Sequence, residues 1–564
     1  MLCNTYSHAS NLQVAPSWFK TRDRLENFAV AMARNINVEL LSGSAHALTV
    51  QQDMTVEELK EEVKAFHPSE DEITRMLSAV DLLLDGEKLS DPGMMVSDCI
   101  CESAKVQVLF YVQPACVCAT SFGHITHELR EVHIPSTEAI IQPRAFHGCC
   151  RLLRLVIPES VTEVGSEAFL GCRSLKTLTL PSSVTRIGGS AFEGCKSLTI
   201  LTIPKSVTEV GDCAFRGCTF LTSLTIPESV TEIGHGVFRD CCSLTSLTLP
   251  DSVTRIGDCA FRGCISLTTL TIPASVIRIG KRAFSICSSL TTLSISKSLT
   301  EIGDAAFRGC GSLTSLTIAD SVTDIGDGAF RGCSSLTGLN IPDSVTRIGD
   351  RAFGGCSSLT TLTIAESVTR IGHGACGVCN SLTTLKLSGS LTEIGRGAFH
   401  GCSSLTTLTF PDSVTRIGNR AFRGCSSLTS LTVPESVTQI GACAFDGCSS
   451  LTSLTLPKSL TRIENGVFAG CSSLTTLNTS EFLTEIGHGA FRGCSSLTTL
   501  TFPDSVNRIG NCAFRGCSSL TSLSIPESVT EIGAHAFHGC SSLISLTIPN
   551  SLRQILPDFH AFDV

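Results

Sequence analysis

The stretch CSSLTTLTFPDSV, residues 402–414, returns letter for letter at 494–506. The two copies start 92 residues apart, four times 23, and that interval organises most of the chain. From about residue 128 a 23-residue period runs without insertion or deletion. Eighteen positions stand in register from Phe146 to Phe537; all hold Phe, among them Phe169, Phe192, Phe215, Phe261, Phe307 and Phe422, except that Cys376 fills one of them. A period this strict over a chain of 564 residues predicts a solenoid, in which each repeat buries its apolar side against its neighbours.

One period, Leu221 to Leu244, reads physically as follows. In LTSLTI, Leu224 and Ile226 fall on one face and Ser223 and Thr225 on the other, the alternation of a strand. Pro227 lacks the amide a ladder needs and ends it. Val230 and Ile233 turn apolar groups back inward, and Gly234 permits a tight bend. The next position is often Asp or Asn (Asp258, Asp304, Asp350, Asn419, Asn511), which suits an acceptor at a helix start. A single helical turn is then expected to carry Ala-Phe inward, stopped by Gly263, Gly309 or Gly424 in their rungs. Each rung thus offers eight inward positions: Leu221, Leu224, Ile226, Val230, Ile233, Val237, Phe238 and Cys241.

The pattern GCSSLTSLTIPxSVTxIGxxAFxGC resembles the BspA-like (Treponema-type) leucine-rich repeats over residues 128–556. The resemblance implies an α/β repeat, a curved solenoid with a strand sheet on its concave side. It also implies a family that includes microbial surface adhesins and large intracellular proteins.

Before the repeats, INVELLSG (36–43) and HALTVQQD (46–53) alternate like a hairpin, and TVEELKEEVKAF (55–66) has helical spacing with Thr55 as N-cap. VDLLLDGEKLSD (80–91) and ESAKVQVLFYV (102–112) supply later strands. This order resembles a small α+β ubiquitin-like β-grasp domain over 36–113, without a Gly-Gly tail after Val112. By that resemblance Leu83, Gln107 and Leu109 match an apolar recognition patch. Residues 1–35 read as a flexible segment, 114–127 as a linker and 557–564 as a tail.

Composition narrows the function classes. Charged residues make up 16% and the net charge is −9, so nothing marks a nucleic-acid surface. No secretory signal opens the chain and no stretch is apolar enough to span a bilayer, so a cytoplasmic protein without membrane insertion is expected. Thirty Cys sit uneasily with that compartment. Eighteen of them, from Cys149 to Cys540 and including Cys172, Cys195, Cys264, Cys402 and Cys494, occupy one phase of the repeat. Stacked side chains run parallel and do not converge as metal ligands must, so this ladder reads as buried free thiols used as small hydrophobes. Cys99, Cys101, Cys116 and Cys118, at CxC…CxC, read as incidental thiols or a metal pair.

No nucleophile–base set, HExxH or phosphate loop is present, and neither enzyme activity nor a cofactor is expected. The two outward strand phases are almost wholly Ser and Thr, and Asn340, Lys386 and Asn478 are the departures that suggest contact with a partner. A further phase alternates in sign, as at Glu163, Arg186 and Glu209, which suits pairing between neighbouring rungs. These features point to a monomeric, non-enzymatic scaffold that binds protein through the solenoid, with the ubiquitin-like module as a second contact. A surface adhesin reached by unconventional export is the alternative, and a Thr-array ice- or glycan-binding protein the third.

Overall fold

The computed structural model describes residues 131–134, 136–549 and 552, and the backbone of five earlier strands. The chain divides into two compact units. One runs to Leu244 without Thr231–Ile233; the other takes those three residues and everything from Thr245 onward.

Most rungs give two short strands, which pair in parallel with strands one period away to form a series of short sheets. In the first unit, Thr177–Thr179, Ile200–Thr202 and Ser223–Thr225 form one sheet, with Leu178 opposite Leu201 and Leu201 opposite Leu224. The two-residue strands Ile140–Ile141, Glu163–Val164, Arg186–Ile187 and Glu209–Val210 form another. In the second unit the two-residue ladder runs through ten strands from Glu232–Ile233 to Gln439–Ile440. Three-residue strands such as Thr407–Thr409 and Ser430–Thr432 pair beside it in sheets of three or four. The alternation read in LTSLTI is the alternation observed, since Leu224 and Ile226 are buried and Ser223 and Thr225 exposed. All eight inward positions predicted for that rung are buried.

The core is a set of columns. The Phe rings stack face to face at 5.2–5.7 Å between centroids, as in Phe169–Phe192, Phe307–Phe330 and Phe422–Phe445. Phe169, Phe192, Phe215, Phe261, Phe307 and Phe422 are fully buried. The ladder cysteines Cys172, Cys195, Cys264, Cys402 and Cys494 are likewise buried free thiols. Their packing has a polar component that the sequence did not disclose. Along most of the ladder the thiol donates to the carbonyl at the Phe phase of the preceding rung: Cys195 to Phe169 at 3.4 Å, Cys425 to Phe399 at 3.5 Å, Cys494 to Phe468 at 3.3 Å. A small side chain with a weak donor therefore suits this phase better than Ala or Val would.

The expected helical turn is not formed, and among the described rungs the repeat is all-β, not α/β. Around Phe422 the amides alternate between two destinations. Those of Ala421, Arg423 and Cys425 close local turns onto Gly418, Arg420 and Phe422 at 3.2 Å. Those of Arg420, Phe422 and Gly424 reach the next rung, onto Ala442, Ala444 and Asp446, at 2.7–2.9 Å. The alternation requires left-handed residues at Arg420 (φ 58°) and Gly424 (φ 75°), which no helix contains. The Asp and Asn side chains consequently cap no helix. They accept the amide at the same phase one rung later: Lys281 to Asp258 at 2.7 Å, His373 to Asp350 at 2.7 Å, Ala442 to Asn419 at 3.0 Å.

Close stacking also explains the glycine after each Ile-Gly step. A Cβ at Gly418 would lie 2.8 Å from the carbonyl oxygen of Ile394 and from the backbone of Gly395, inside any real contact. Glu464 and Gln142 depart from this, and the ladder is interrupted at Glu464. Arg462–Ile463 does not pair with Gln439–Ile440 but opens a new four-stranded sheet with the rungs that follow.

Before the repeats, Arg34–Glu39 pairs antiparallel with Ala45–Val50, and Leu77–Leu84 pairs with both Glu87–Lys88 and Val106–Val112. Hairpin and strand segments thus stand near where the sequence put them. The expected helix over 55–66 and the segments 1–33 and 113–130 lie outside the described residues, and these strands do not by themselves establish a β-grasp domain.

Candidate binding surface

The hydroxyl-rich composition resolves into structural and free columns. Ser426, Ser449, Ser472 and Ser495 each donate to the Ser carbonyl 23 residues earlier at 3.3–3.4 Å. Thr429, Thr452 and Thr475 do the same at 3.1–3.2 Å, and Ser413 and Ser436 bind Leu391 and Val414 carbonyls at 2.7 Å. Much of the Ser and Thr expected to face water therefore ties rungs together, satisfying carbonyls that would otherwise be left at turn edges. The strand columns are different. Thr361, Thr407, Ser453 and Thr499 are exposed, as are Thr409, Thr455 and Thr501, and among the described residues their hydroxyls have no protein partner.

Many charges on the two-residue ladder pair with an opposite charge on a neighbouring rung, although Arg255 lies opposite Arg278 and Glu301 opposite Asp324. Glu393 sits between Arg370 at 3.0 Å and Arg416 at 3.7 Å, and Glu485 between Arg462 at 3.4 Å and Arg508 at 3.6 Å. The free strand face is thus the polar surface with hydrogen-bonding capacity to spare. Its departures are partly gathered. Asn340 lies opposite Thr363, and Thr363 opposite Lys386, in the sheet Gly338–Asn340, Thr361–Thr363, Thr384–Lys386. Asn340 and Lys386 are both exposed. Asn478 is exposed too but pairs with Thr455 in another sheet and does not join them. Leu83 and Gln107 face each other in the strand register and Leu109 lies opposite Asp81; their side chains are outside what is described.

Comparison with known proteins agrees with this geometry. The model described as a BspA type leucine rich repeat region matches residues 117–241, 208–337, 323–452 and 438–563. The chain belongs to the BspA-type leucine-rich repeat family. A leucine-rich repeat protein from Bacteroides ovatus is 34% identical, with 59% of this chain and 80% of that one covered and a TM-score of 0.50. A leucine rich cell surface protein from Faecalibacterium prausnitzii is 33% identical over 61% and 86% of the two chains, with a TM-score of 0.37. Curated proteins give no match.

In this BspA-type array burial holds the ladder thiols in their protonated form. Burial pushes Cys425 and Cys471 up to about 12 and Cys540 up to about 11. The proton is held more tightly in the folded than in the unfolded chain, where a thiol ionises near pH 8.5. Stability from the ladder is therefore complete below about pH 8.5 and is lost as pH rises toward about 12. Two results are expected. At pH 8 a thiol reagent leaves the ladder unlabelled until the protein unfolds. Thiolate absorbance from the eighteen ladder thiols, read above the contribution of the other twelve cysteines, appears together with unfolding and not before. Ready labelling of Cys402, Cys425 and Cys494 in the native protein would contradict their burial. Among the described residues no cluster of His, Cys, Asp and Glu is arranged to hold a metal ion. The CxC…CxC cysteines lie outside them.

One arrangement was not anticipated from the sequence. A notch of about 630 Å³ opens on the turn side of the rungs around Cys376, lined by Arg351, Arg396, Arg420, Arg423, His373 and His400 together with one carboxylate, Asp350. Its signal was Gly354 and Gly377, the two glycines at a phase that elsewhere carries a side chain, next to Gly374 and Gly397 at a phase where glycine recurs.

Proposed function

We propose that this BspA-type protein is a non-enzymatic scaffold that holds a protein partner against its free strand face, centred on Asn340, Thr363 and Lys386. The observation that supports this reading most is the separation of hydroxyl columns. Most repeat positions spend their polar groups on the neighbouring rung, whereas this face keeps donors and acceptors free and places a cation and an amide two strands apart. A stack whose rungs hydrogen-bond on every side is stiff, so binding costs little ordering of the surface.

The half-buried free thiols Cys213, Cys259, Cys443 and Cys512 favour a reducing, cytoplasmic setting over the cell surface. Among the described residues no helix is long and apolar enough to cross a membrane. The ubiquitin-like module as a second contact belongs to the same proposal.

The test compares full-length protein with the variant Asn340→Thr/Lys386→Thr, which gives this sheet the residue common elsewhere on the face. Partners captured from cell extract by the wild type are expected to fall at least about ten-fold in recovery with the variant, as loss of a charged hydrogen-bonding contact allows. An unchanged partner set moves binding to another face. Labelling of the protein on intact cells by an impermeant reagent would instead favour the surface-adhesin reading.

A further inference from the structure

The notch beside Cys376 is built differently from the rest of the array. At the outward left-handed position of each rung, Arg351 (φ 55°) and Arg420 (φ 58°) carry long cationic side chains, while the two rungs between them place Gly374 (φ 63°) and Gly397 (φ 61°). Two bare rungs are thus bracketed by guanidinium groups. Gly354 and Gly377 remove side chains at a second phase. A Cβ at Gly377 would overlap the His400 ring, so the imidazole settles into the space the glycine leaves.

The Asp/Asn ladder also changes sign here. Asp350 accepts the His373 amide at 2.7 Å, and His373 Nδ1 in turn accepts the Arg396 amide at 2.9 Å. That bond leaves His373 Nε2 as an N–H donor. Arg396 then stands where other rungs place Asp304, Asp327 or Asn419; Lys281 is the other cation at this phase, but it pairs with Asp304 at 3.0 Å, whereas Arg396 has no such carboxylate partner among the described residues. His400 donates from Nδ1 to the Gly397 carbonyl at 2.8 Å. Arg423 pairs with Asp446 at 2.9 Å, but no described carboxylate pairs with the side chains of Arg351, Arg396 or Arg420. Three guanidinium groups without an ion-pair partner thus line one concavity with a single carboxylate, Asp350, whereas the arginines of the two-residue ladder meet a Glu or Asp.

We infer that this notch is a binding site for a small polyanion bearing at least two phosphate or sulfate groups. Planar guanidinium forks match the paired oxygens of such groups and keep their charge at any physiological pH. The volume suits a small molecule. Arg351 and Arg420 are three rungs apart, roughly 14 Å at a ladder spacing of about 4.8 Å. A single oxyanion cannot bridge that distance, whereas a ligand with several charged groups can. The site lies on the turn side and is independent of the strand-face proposal.

The test is calorimetric titration of the full-length protein with inorganic tripolyphosphate and, separately, sucrose octasulfate, at about 50 mM salt so that screening does not mask binding. The variant is Arg396→Asp/Arg420→Ala. Asp occupies the first phase at Asp304 and Asp327, and Ala the second at Ala305 (φ 54°), so both residues are ones the repeat already accommodates. Circular dichroism checks that it folds. The control, Arg492→Ala/Arg515→Ala, removes two arginines outside the notch. Wild type and control are expected to bind one or both probes alike, and the notch variant about ten-fold more weakly or worse. Preference for one probe assigns the charged group as phosphate or sulfate. Three results would overturn the inference: no binding of either probe by wild type, equal loss in the control, or single-stranded DNA binding more tightly than both probes.

Discussion

Phe422→Ala is expected to lower the free energy of unfolding by about 3–5 kcal/mol, the range for a large aromatic truncated in a core that does not collapse. The ring has no exposure. It stacks on Phe399 at 5.3 Å and Phe445 at 5.4 Å and makes a T-shaped contact with Phe410 at 5.6 Å. Backbone bonds to the flanking rungs fix the spacing, so the hole cannot close. Because coupling in a repeat array passes only between neighbours, the loss should appear as a second, earlier transition in urea and not as a uniform shift of one. Phe353 makes a useful comparison. It stacks on Phe330 at 5.6 Å, but Cys376 occupies the next Phe position, so one aromatic partner is missing. Phe353→Ala should therefore cost less than Phe422→Ala. Equal costs would mean that the stacking adds nothing beyond burial.

The second large effect concerns backbone approach. Gly418→Ala places a methyl 2.8 Å from the backbone of the preceding rung, and relief requires the two-residue ladder to part, as it does at Glu464. The expected cost is about 1–3 kcal/mol, with local gain of amide exchange at Gly418 and Ile417. The reverse change, Glu464→Gly, lets the strand Arg462–Ile463 rejoin Gln439–Ile440. It is expected to stabilise by about 1 kcal/mol, because restored backbone bonds outweigh the exposed Arg462–Glu464 contact. Denaturant midpoints of the two variants should move in opposite directions. Movement in the same direction would contradict the explanation given for the break at Glu464.

Much of this was legible in the sequence, for a physical reason that can be named. Strand alternation decides which side a residue faces within three or four positions, so Leu224, Ile226 and Val230 declared themselves. A strict period then copied that assignment to every rung. The buried state of Cys402 and Cys494 followed from the same phase argument. What could not be read was anything whose partner lies one rung away. Ala-Phe followed by Gly has the local form of a helical turn, yet half of its amides bond across the rung boundary and Arg420 adopts a left-handed backbone that only the stack imposes. Ser426 and Thr429 looked like solvent-facing residues for the same reason: the carbonyls they bind belong to residues 23 positions earlier. The notch escaped notice because Arg351, Arg396 and Arg420 meet only after stacking, and no short motif joins them.

Regular rungs carry packing, and the rungs that depart from them carry the proposed binding. Lysine-reactive cross-linking of the full-length protein with its captured partners, mapped by mass spectrometry, tests this most directly. Lys386 stands on the free strand face, while Lys281 and Lys458 pair with Asp304 at 3.0 Å and Glu481 at 3.2 Å. Cross-links to partners are predicted to concentrate at Lys386 and to disappear with Lys386→Thr. Cross-links concentrated at Lys281, Lys297 or Lys458, with Lys386 unmodified, would contradict it.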